Sequence, residues 1–345
     1  MKLKFYAILL TVFGFISGNA QDLHFTQYEF VPIHMNPANT GGFSGSYRLG
    51  ALFRNQSSVG LASSSAYRTP MAYADVTFPW ALRKKDWTAL GLNFSQDRHG
   101  EIGVGSTGFI ASVAYHFGLS KNSDIAIGGQ YGSMSYGIFD AQKAKFYSTL
   151  QGGAQDVDFS SLQGQSKSNI SDLTIGVQLT TQVAGKSKLS AGIAASHLNK
   201  PVLKIFTAGG GGGFVYKLPI LLSVNASLNY PLNEKLDLIP MVYFRSLRDP
   251  KTFTTQCKAS YLLNPEKSIR LNGGLGMRFG DAIQFLVGMD YGKIKAQLGY
   301  DQTIGGLKSA RNSPAGVGAV ELGIQYIGIV TKKPNPKPKV FCPRF

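Results

Sequence analysis

Between Tyr47 and Gly328 the chain repeats one pattern: segments of about ten residues in which apolar side chains alternate with small or polar ones. In 271–279, Leu271, Leu275, Met277 and Phe279 share one face with Gly273, while Asn272, Gly274, Gly276 and Arg278 share the other. In 173–180, Leu173, Ile175, Val177 and Leu179 alternate with Thr174, Gly176, Gln178 and Thr180. A period of two places the two kinds of side chain on opposite faces of a sheet. Segment 219–230 is the clearest, with Leu222, Val224, Ala226 and Leu228 outward and Ser223, Asn225, Ser227 and Asn229 inward. In the last segment Val320, Leu322, Ile324 and Tyr326 face out, and Glu321, Gly323 and Gln325 face in. Many such segments, each apolar on one face only, predict an all-β fold: a transmembrane antiparallel β-barrel with lipid outside.

About fourteen strands are expected, at 47–55, 67–79, 88–97, 107–117, 124–136, 172–180, 188–197, 219–230, 236–247, 251–263, 269–279, 282–291, 294–303 and 316–329. An even number brings both termini to one rim, expected to be periplasmic. The connections alternate in length as this requires. Those at 79–87, 118–123, 181–188, 231–235, 264–268 and 292–293 are short, and the other set includes the three longest, 137–171, 198–218 and 304–315. Every short turn carries lysine: Lys84 and Lys85, Lys121, Lys186 and Lys188, Lys235, Lys267, Lys293. Cations at strand ends reach lipid phosphates; a basic rim that docks an acidic partner is the sharper alternative.

The ends differ from this body. Lys2 and Lys4, an apolar run from Phe5 to Ile16, and small residues at Gly18 and Ala20 read as a signal peptide over 1–20, cleaved between Ala20 and Gln21. A lead-in at 21–46 contains Asn36-Pro37-Ala38-Asn39-Thr40-Gly41-Gly42, rich in turn formers, and is expected to be ordered but not a strand. The barrel occupies 47–330. A tail at 331–345 holds Pro334, Pro336, Pro338 and Pro343 among basic residues including Lys337, Lys339 and Arg344, an extended and semi-rigid composition expected in the periplasm. Gly209–Gly213 reads as a flexible outer loop; it lacks the Lys-Ser/Thr of a phosphate-binding loop.

Composition narrows the function. The 41 Gly, 16 Tyr and 22 Phe suit crowded lumen positions and interfacial girdles. No segment after the leader offers eighteen consecutive apolar residues, so no helix is expected to span a bilayer. The formal net charge of +16 raises a nucleic-acid reading, set aside because the chain is exported and shows no binding module; anionic outer-membrane lipid or acidic proteins suit this charge better. Cys257 and Cys342 are far apart in sequence and lack neighbours at metal-ligand spacing. Asp97, His99 and Glu101 cluster in the second outer loop, where a metal site or an acid/base pair competes with the plainer reading of a polar turn. No nucleophile with a positioned base is recognisable, so no catalytic, cofactor or metal residue is assigned and the chain is expected not to be an enzyme. Inward Arg278, Asp290, Lys295, Asp301 and Glu321 suggest a lumen of ion pairs, either water-filled or occupied by loops or the lead-in. A passive porin-like channel therefore stands as the alternative to a protein-binding barrel.

The ends carry a family resemblance. Gln21-Asp22, Phe25-Thr26-Gln27-Tyr28 and Asn36-Pro37-Ala38-Asn39-Thr40-Gly41 resemble the opening of the PorP/SprF family, with its QDP-F-SQY and NPAYAG segments. Leu23 and His24 stand in the first segment, and Asn39-Thr40 replaces Tyr-Ala in the second. Ile269–Gly280 followed by Asp281-Ala282-Ile283, the strand Ile294–Thr303 and Glu321-Leu322-Gly323-Ile324 are similar to later family strands. Cys342-Pro343-Arg344-Phe345 is similar to the Cys-Pro-basic-Phe ending of SprF-like members. The resemblance implies a non-enzymatic outer-membrane barrel of the type IX secretion system of Bacteroidota. Its implied partners are a secreted surface adhesin with a type B C-terminal domain and periplasmic secretion or gliding-motility components. It marks Gln27, Tyr28, Asn36, Pro37, Ala38 and Gly41 as the N-terminal motif, and the tail residues as a partner-binding segment.

Overall fold

The computed structural model describes residues 24–56, 67–140, 143, 167–205, 214–247, 251–304 and 318–330. The strands are β1 (Tyr47–Gln56), β2 (Tyr67–Phe78), β3 (Trp87–His99), β4 (Val104–Ser120), β5 (Ser123–Ile138), β6 (Lys167–Ala184), β7 (Ser187–Ser196), β8 (Val202–Ile205) and β9 (Phe214–Lys217). They continue as β10 (Leu221–Pro231), β11 (Leu236–Leu247), β12 (Lys251–Asn264), β13 (Ile269–Arg278), β14 (Ala282–Tyr291), β15 (Ile294–Thr303) and β16 (Gly318–Gly328). All except β8 and β9 pair in chain order into a closed antiparallel barrel of fourteen strands. Closure is made by β1 against β16, in register from Tyr47↔Gly328 to Gln56↔Ala319. Closure leaves no strand edge unpaired, the condition for a sheet in hydrocarbon.

The outer face is apolar where the alternation puts it. Leu92, Phe109, Leu275 and Val287 are each more than 60% exposed, and Leu222, Leu322 and Ile324 lie on the same face of their strands. Large side chains left so open in a continuous belt meet lipid. We call the end where β1 starts and β16 finishes the near rim, and the opposite end the far rim. Tyr47 and Tyr326, Phe78 and Trp80, Tyr115 and Phe117 pair as rings along the near rim, a girdle of the kind that sits at headgroup level. The longest near-rim connection, between β2 and β3, is pinned by Asp86, which accepts from Arg83 Nε and Nη2 at 2.9 and 2.8 Å, Tyr115 Oη at 2.8 Å and Gly118 N at 3.0 Å. Those hydrogen bonds, Arg83's first, outweigh burial and hold the Asp86 carboxyl down to about 2. The near-rim turns carry the exposed lysines Lys84, Lys85, Lys121, Lys186, Lys235, Lys267 and Lys293.

Two features depart from the sequence expectation. β4, β5 and β6 run for 17, 16 and 18 residues, longer than the spans 107–117, 124–136 and 172–180 read from apolar alternation, β6 most of all. About ten residues suffice to cross the bilayer; much of the extra length is polar, such as Lys167-Ser168-Asn169, and is paired by backbone ladders that no apolar pattern advertises. The connection after β7 is not structureless. It contains the β8–β9 hairpin, whose Leu203 is buried with Met134 and Ile170 and whose Lys204 N–H donates to Ser168 Oγ at 2.9 Å.

Candidate functional site: a plugged lumen

The lead-in lies inside the barrel. Phe25, Thr26, Gln27, Tyr28, Phe30, Val31, Ile33, Asn36, Ala38 and Thr40 are all buried. Its shape follows from its prolines and asparagines. A 3-10 turn at Tyr28–Phe30 leads into a single helical turn, Pro32–Met35, and another 3-10 turn, Pro37–Asn39. Each proline opens its turn, where its missing N–H costs nothing and its fixed φ helps. Asn36, held extended as the residue before a proline must be, caps the last turn: its Oδ1 accepts from Ala38 N at 3.0 Å.

At its far end the plug is clamped by Glu321. The two carboxylate oxygens accept from the consecutive backbone N–H groups of Thr26 and Gln27, each at 2.8 Å, and the Gln27 amide donates back to the Glu321 carbonyl at 2.9 Å. Thr26 Oγ1 donates to Asp301, and Gln256 Nε2 donates to the Thr26 carbonyl at 2.7 Å. Arg54 binds both Asp301 and Glu321, and Arg278 Nη2 reaches Asp301 at 2.8 Å. Asp301 and Glu321 are 2% and 1% exposed, so these charges are tolerable only because they are paired and hydrogen-bonded.

The middle and near end are held as fully. Lys258 Nζ bonds both Glu29 oxygens at 2.7 and 2.6 Å, and Tyr28 packs on Tyr243 with ring centroids 5.1 Å apart. Burial raises the Glu29 pKa, but the Lys258 and Lys295 ammonium groups outweigh it and leave the carboxyl below its ordinary 4.5. Across the lumen Gln130 donates to the Ile33 carbonyl at 2.6 Å, and Asn36 Nδ2 donates to Val177 O and Gln178 Oε1 at 3.0 and 3.2 Å. Near the exit Arg48 forks onto Asp75 at 2.9 and 2.7 Å and also donates to the Asn39 carbonyl. Asp75 accepts the Gly41 N–H at 2.8 Å, and His116 Nε2 donates to the Thr40 carbonyl at 2.7 Å beneath a stacked Trp87. Contacts thus come from strands on every side of the wall.

Inward glycines make the room. A Cβ at Gly128 would overlap the Ala38 amide and the Pro37 carbonyl, and one at Gly176 would overlap the Asn36 side chain. Gly41, at φ +74°, turns the chain in a conformation that side chains disfavour, and a Cβ there would strike Ala89.

The sequence motif is therefore assembled here: Gln27 at the Glu321 clamp, Tyr28 against Tyr243, Asn36, Pro37 and Ala38 in the glycine slots, and Gly41 on Asp75. Of the inward charges named from sequence, Arg278, Asp301 and Glu321 form the far cluster. Asp290 accepts from Asn272 at 2.8 Å, and Lys295 faces Glu29. Sequence reasoning missed Arg48, Arg54, Asp75, Glu29 and Lys258; their inward register at strand positions was the available signal for the four on strands. Asp97 and His99 lie at the end of β3 and not in a loop, bonded to each other, with Asp97 also accepting from Thr69 Oγ1 at 2.6 Å. Glu101 is exposed in the next turn, and among the described residues no three His, Cys, Asp or Glu side chains gather as a metal site. Cys257 is free and exposed on β12. The signal peptide with Ala20 and Gln21, the glycine run at 209–213, Cys342 and the tail from Pro334 to Phe345 lie outside the described residues.

Comparison with known proteins places the chain. The family described as type IX secretion system membrane protein PorP/SprF matches residues 17–326. No curated protein is detectably similar in sequence. Solved structures of similar form include the toluene transporter TbuX of Ralstonia pickettii, at 12% identity and TM-score 0.46, covering 90% of this chain and 96% of that one. The toluene transporter TodX of Pseudomonas putida aligns at 11% identity and TM-score 0.49, covering 90% and 95%. The translocator domain of the autotransporter NalP of Neisseria meningitidis aligns at 9% identity and TM-score 0.45, covering 87% and 95%. Likeness at that level carries no inference about what passes through or binds this barrel. Family and fold are those of a secretion-system membrane barrel and not of a known enzyme class. By a match that spans nearly the whole chain, the protein belongs to the PorP/SprF family of type IX secretion system membrane proteins, a β-barrel of the outer membrane.

Proposed function

We propose that this barrel is a non-enzymatic, protein-binding component of the type IX secretion system. On this reading its long far-rim loops bind and anchor, or help secrete, a surface adhesin with a type B C-terminal domain. Its near rim and the tail Pro334–Phe345 dock periplasmic secretion or gliding components. One observation carries the reading: the lumen is occupied by the barrel's own N-terminal segment, fixed by hydrogen bonds to a buried charge cluster, by the Glu29–Lys258 ion pair and by shaped slots. A passive porin needs that space for solute, so a locked plug weighs against the channel alternative and leaves the two rims as working surfaces. The near rim is assigned to the periplasm because its connections are the short ones.

The test is native purification in mild detergent with mass spectrometry of what accompanies the barrel. A large surface protein, alone or with periplasmic secretion components, supports the reading. A solitary barrel that conducts steadily in a planar bilayer would establish the porin in its place. Deleting Pro334–Phe345 is expected to leave the barrel inserted and impair cargo display; undiminished display would remove the tail from the account. Cysteines placed singly in 144–166 or 206–213 are expected to label in intact cells, and labelling only after lysis would reverse the topology.

A further inference from the structure

Below the plug, the near end of the lumen opens into a basin of about 850 Å³. That is the size of a site for a ligand or a short chain segment, not a folded domain. Its floor is the plug itself, with Ala38 and Phe43, beside Trp87 of β3. Its wall is built from β4 to β7, β10 and β11, lined largely by side-chain amides and hydroxyls. Lys121, Lys186 and Lys188 stand in this basin. Lys188 faces the lumen, in register between Gln182 and Asn229, and Lys121 and Lys186 come from the adjoining turns.

These three cations differ from those that hold the plug. Arg48, Arg54, Arg278 and Lys258 each sit on a carboxylate. Lys121, Lys186 and Lys188 are exposed and make no ion pair among the described residues. The one carboxylate lining the basin, Asp124, lies 3.3 Å from His116 Nδ1. A concave polar surface with three unpaired cations has charge complementarity for one kind of occupant. We infer that the basin is a docking site for an extended acidic peptide segment of a partner protein, threaded into the lumen mouth as far as the plug. The chain's own tail, although it starts at the same rim, carries Lys332, Lys333, Lys337, Lys339 and Arg344 and has the wrong charge. Backbone groups of an extended segment would meet the side chains of Thr180 and Asn229 on the wall, while its carboxylates meet the lysines. The inference deepens the proposed near-rim docking and rests on it for the partner's compartment; the chemistry of the basin does not depend on it.

The test uses the intact barrel in detergent and a fluorescent hexaglutamate peptide, followed by anisotropy. Replacing Lys121, Lys186 and Lys188 together by alanine should weaken binding by roughly tenfold, as three exposed charge pairs allow. Replacing Lys235, Lys267 and Lys293, which remove the same charge from other parts of the rim, should change it less than about twofold. Ser227→Trp keeps every lysine and fills the basin, and should also weaken binding. Equal losses from the two lysine sets, no effect of Ser227→Trp, or no binding to the wild type would each overturn the inference. So would displacement of hexaglutamate by a synthetic peptide of residues 331–345, which would make the tail the occupant. Peptide binding that persists while native partners are lost from the purified complex, or the reverse, separates failure of the docking reading from failure of the basin.

Discussion

At the far end of the plug, Arg54 and Arg278 close on Asp301 and Glu321 out of reach of water; at the near rim, Lys121, Lys186 and Lys188 face an open basin and form no ion pair among the described residues. Both regions belong to one lumen and differ in the state of their charges. A buried charge must be paired to be tolerated, and removing one partner leaves the other stranded. An exposed lysine is solvated and costs little to keep unpaired. The first region is built to hold a segment already in place, and the second is built to receive one.

The sharpest way to break this comparison is at the clamp. Glu321→Ala leaves Arg54 and Arg278 to share the single carboxylate of Asp301 and removes the acceptor of two plug N–H groups. It is expected to destabilise the docked plug by about 3–5 kcal/mol, read as a drop in thermal stability and the appearance of ionic current. Gly176→Leu drives a side chain into Asn36 and is expected to cost about 1–3 kcal/mol by the same readouts, whereas Gly273→Leu, where nothing lies within 4 Å of a Cβ, is expected to be mild. Glu29→Gln breaks a hydrogen-bonded charge pair at the lumen surface, for about 1.5–3 kcal/mol. The smallest effect is expected from Lys235→Ala with Lys267→Ala, within about 0.5 kcal/mol on stability.

Glu29 also gives the comparison a pH axis. Its carboxyl is depressed below the ordinary 4.5 when the plug is docked, against the effect of burial, by Lys258 and Lys295. A depressed carboxylate contributes its stabilisation in full above the ordinary value and loses it as pH falls through the docked value. Plug retention is therefore expected to be level above about pH 5 and to weaken in more acidic solution. In Glu29→Gln that acid limb should shrink; an unchanged limb would assign it to other carboxylates.

How much of this was readable in the chain depends on what fixes each part. The facing of Leu222 against Ser223, or of Leu322 against Glu321, is set by a period of two and was legible. The strand ends of β4 to β6 were not, because ladders of polar residues carry no periodic signal. The β8–β9 hairpin has four residues per strand, too few for a pattern. The lead-in could be read as turn-rich, yet its position was not written in it. That position comes from slots at Gly128 and Gly176 and from charges such as Arg54 and Asp301, 247 residues apart in sequence and joined only when the barrel closes. Lumen-facing charges could be identified one by one, but their pairing is a property of closure.

The segment from His24 to the start of β1 occupies the lumen and is held there from every side. The most direct measurement is ionic current through single barrels in a planar bilayer, comparing the wild-type barrel with one lacking residues 24–44. A silent wild type and a steadily conducting truncated barrel are expected. A steady, ohmic current of equal size through both would contradict that occupancy.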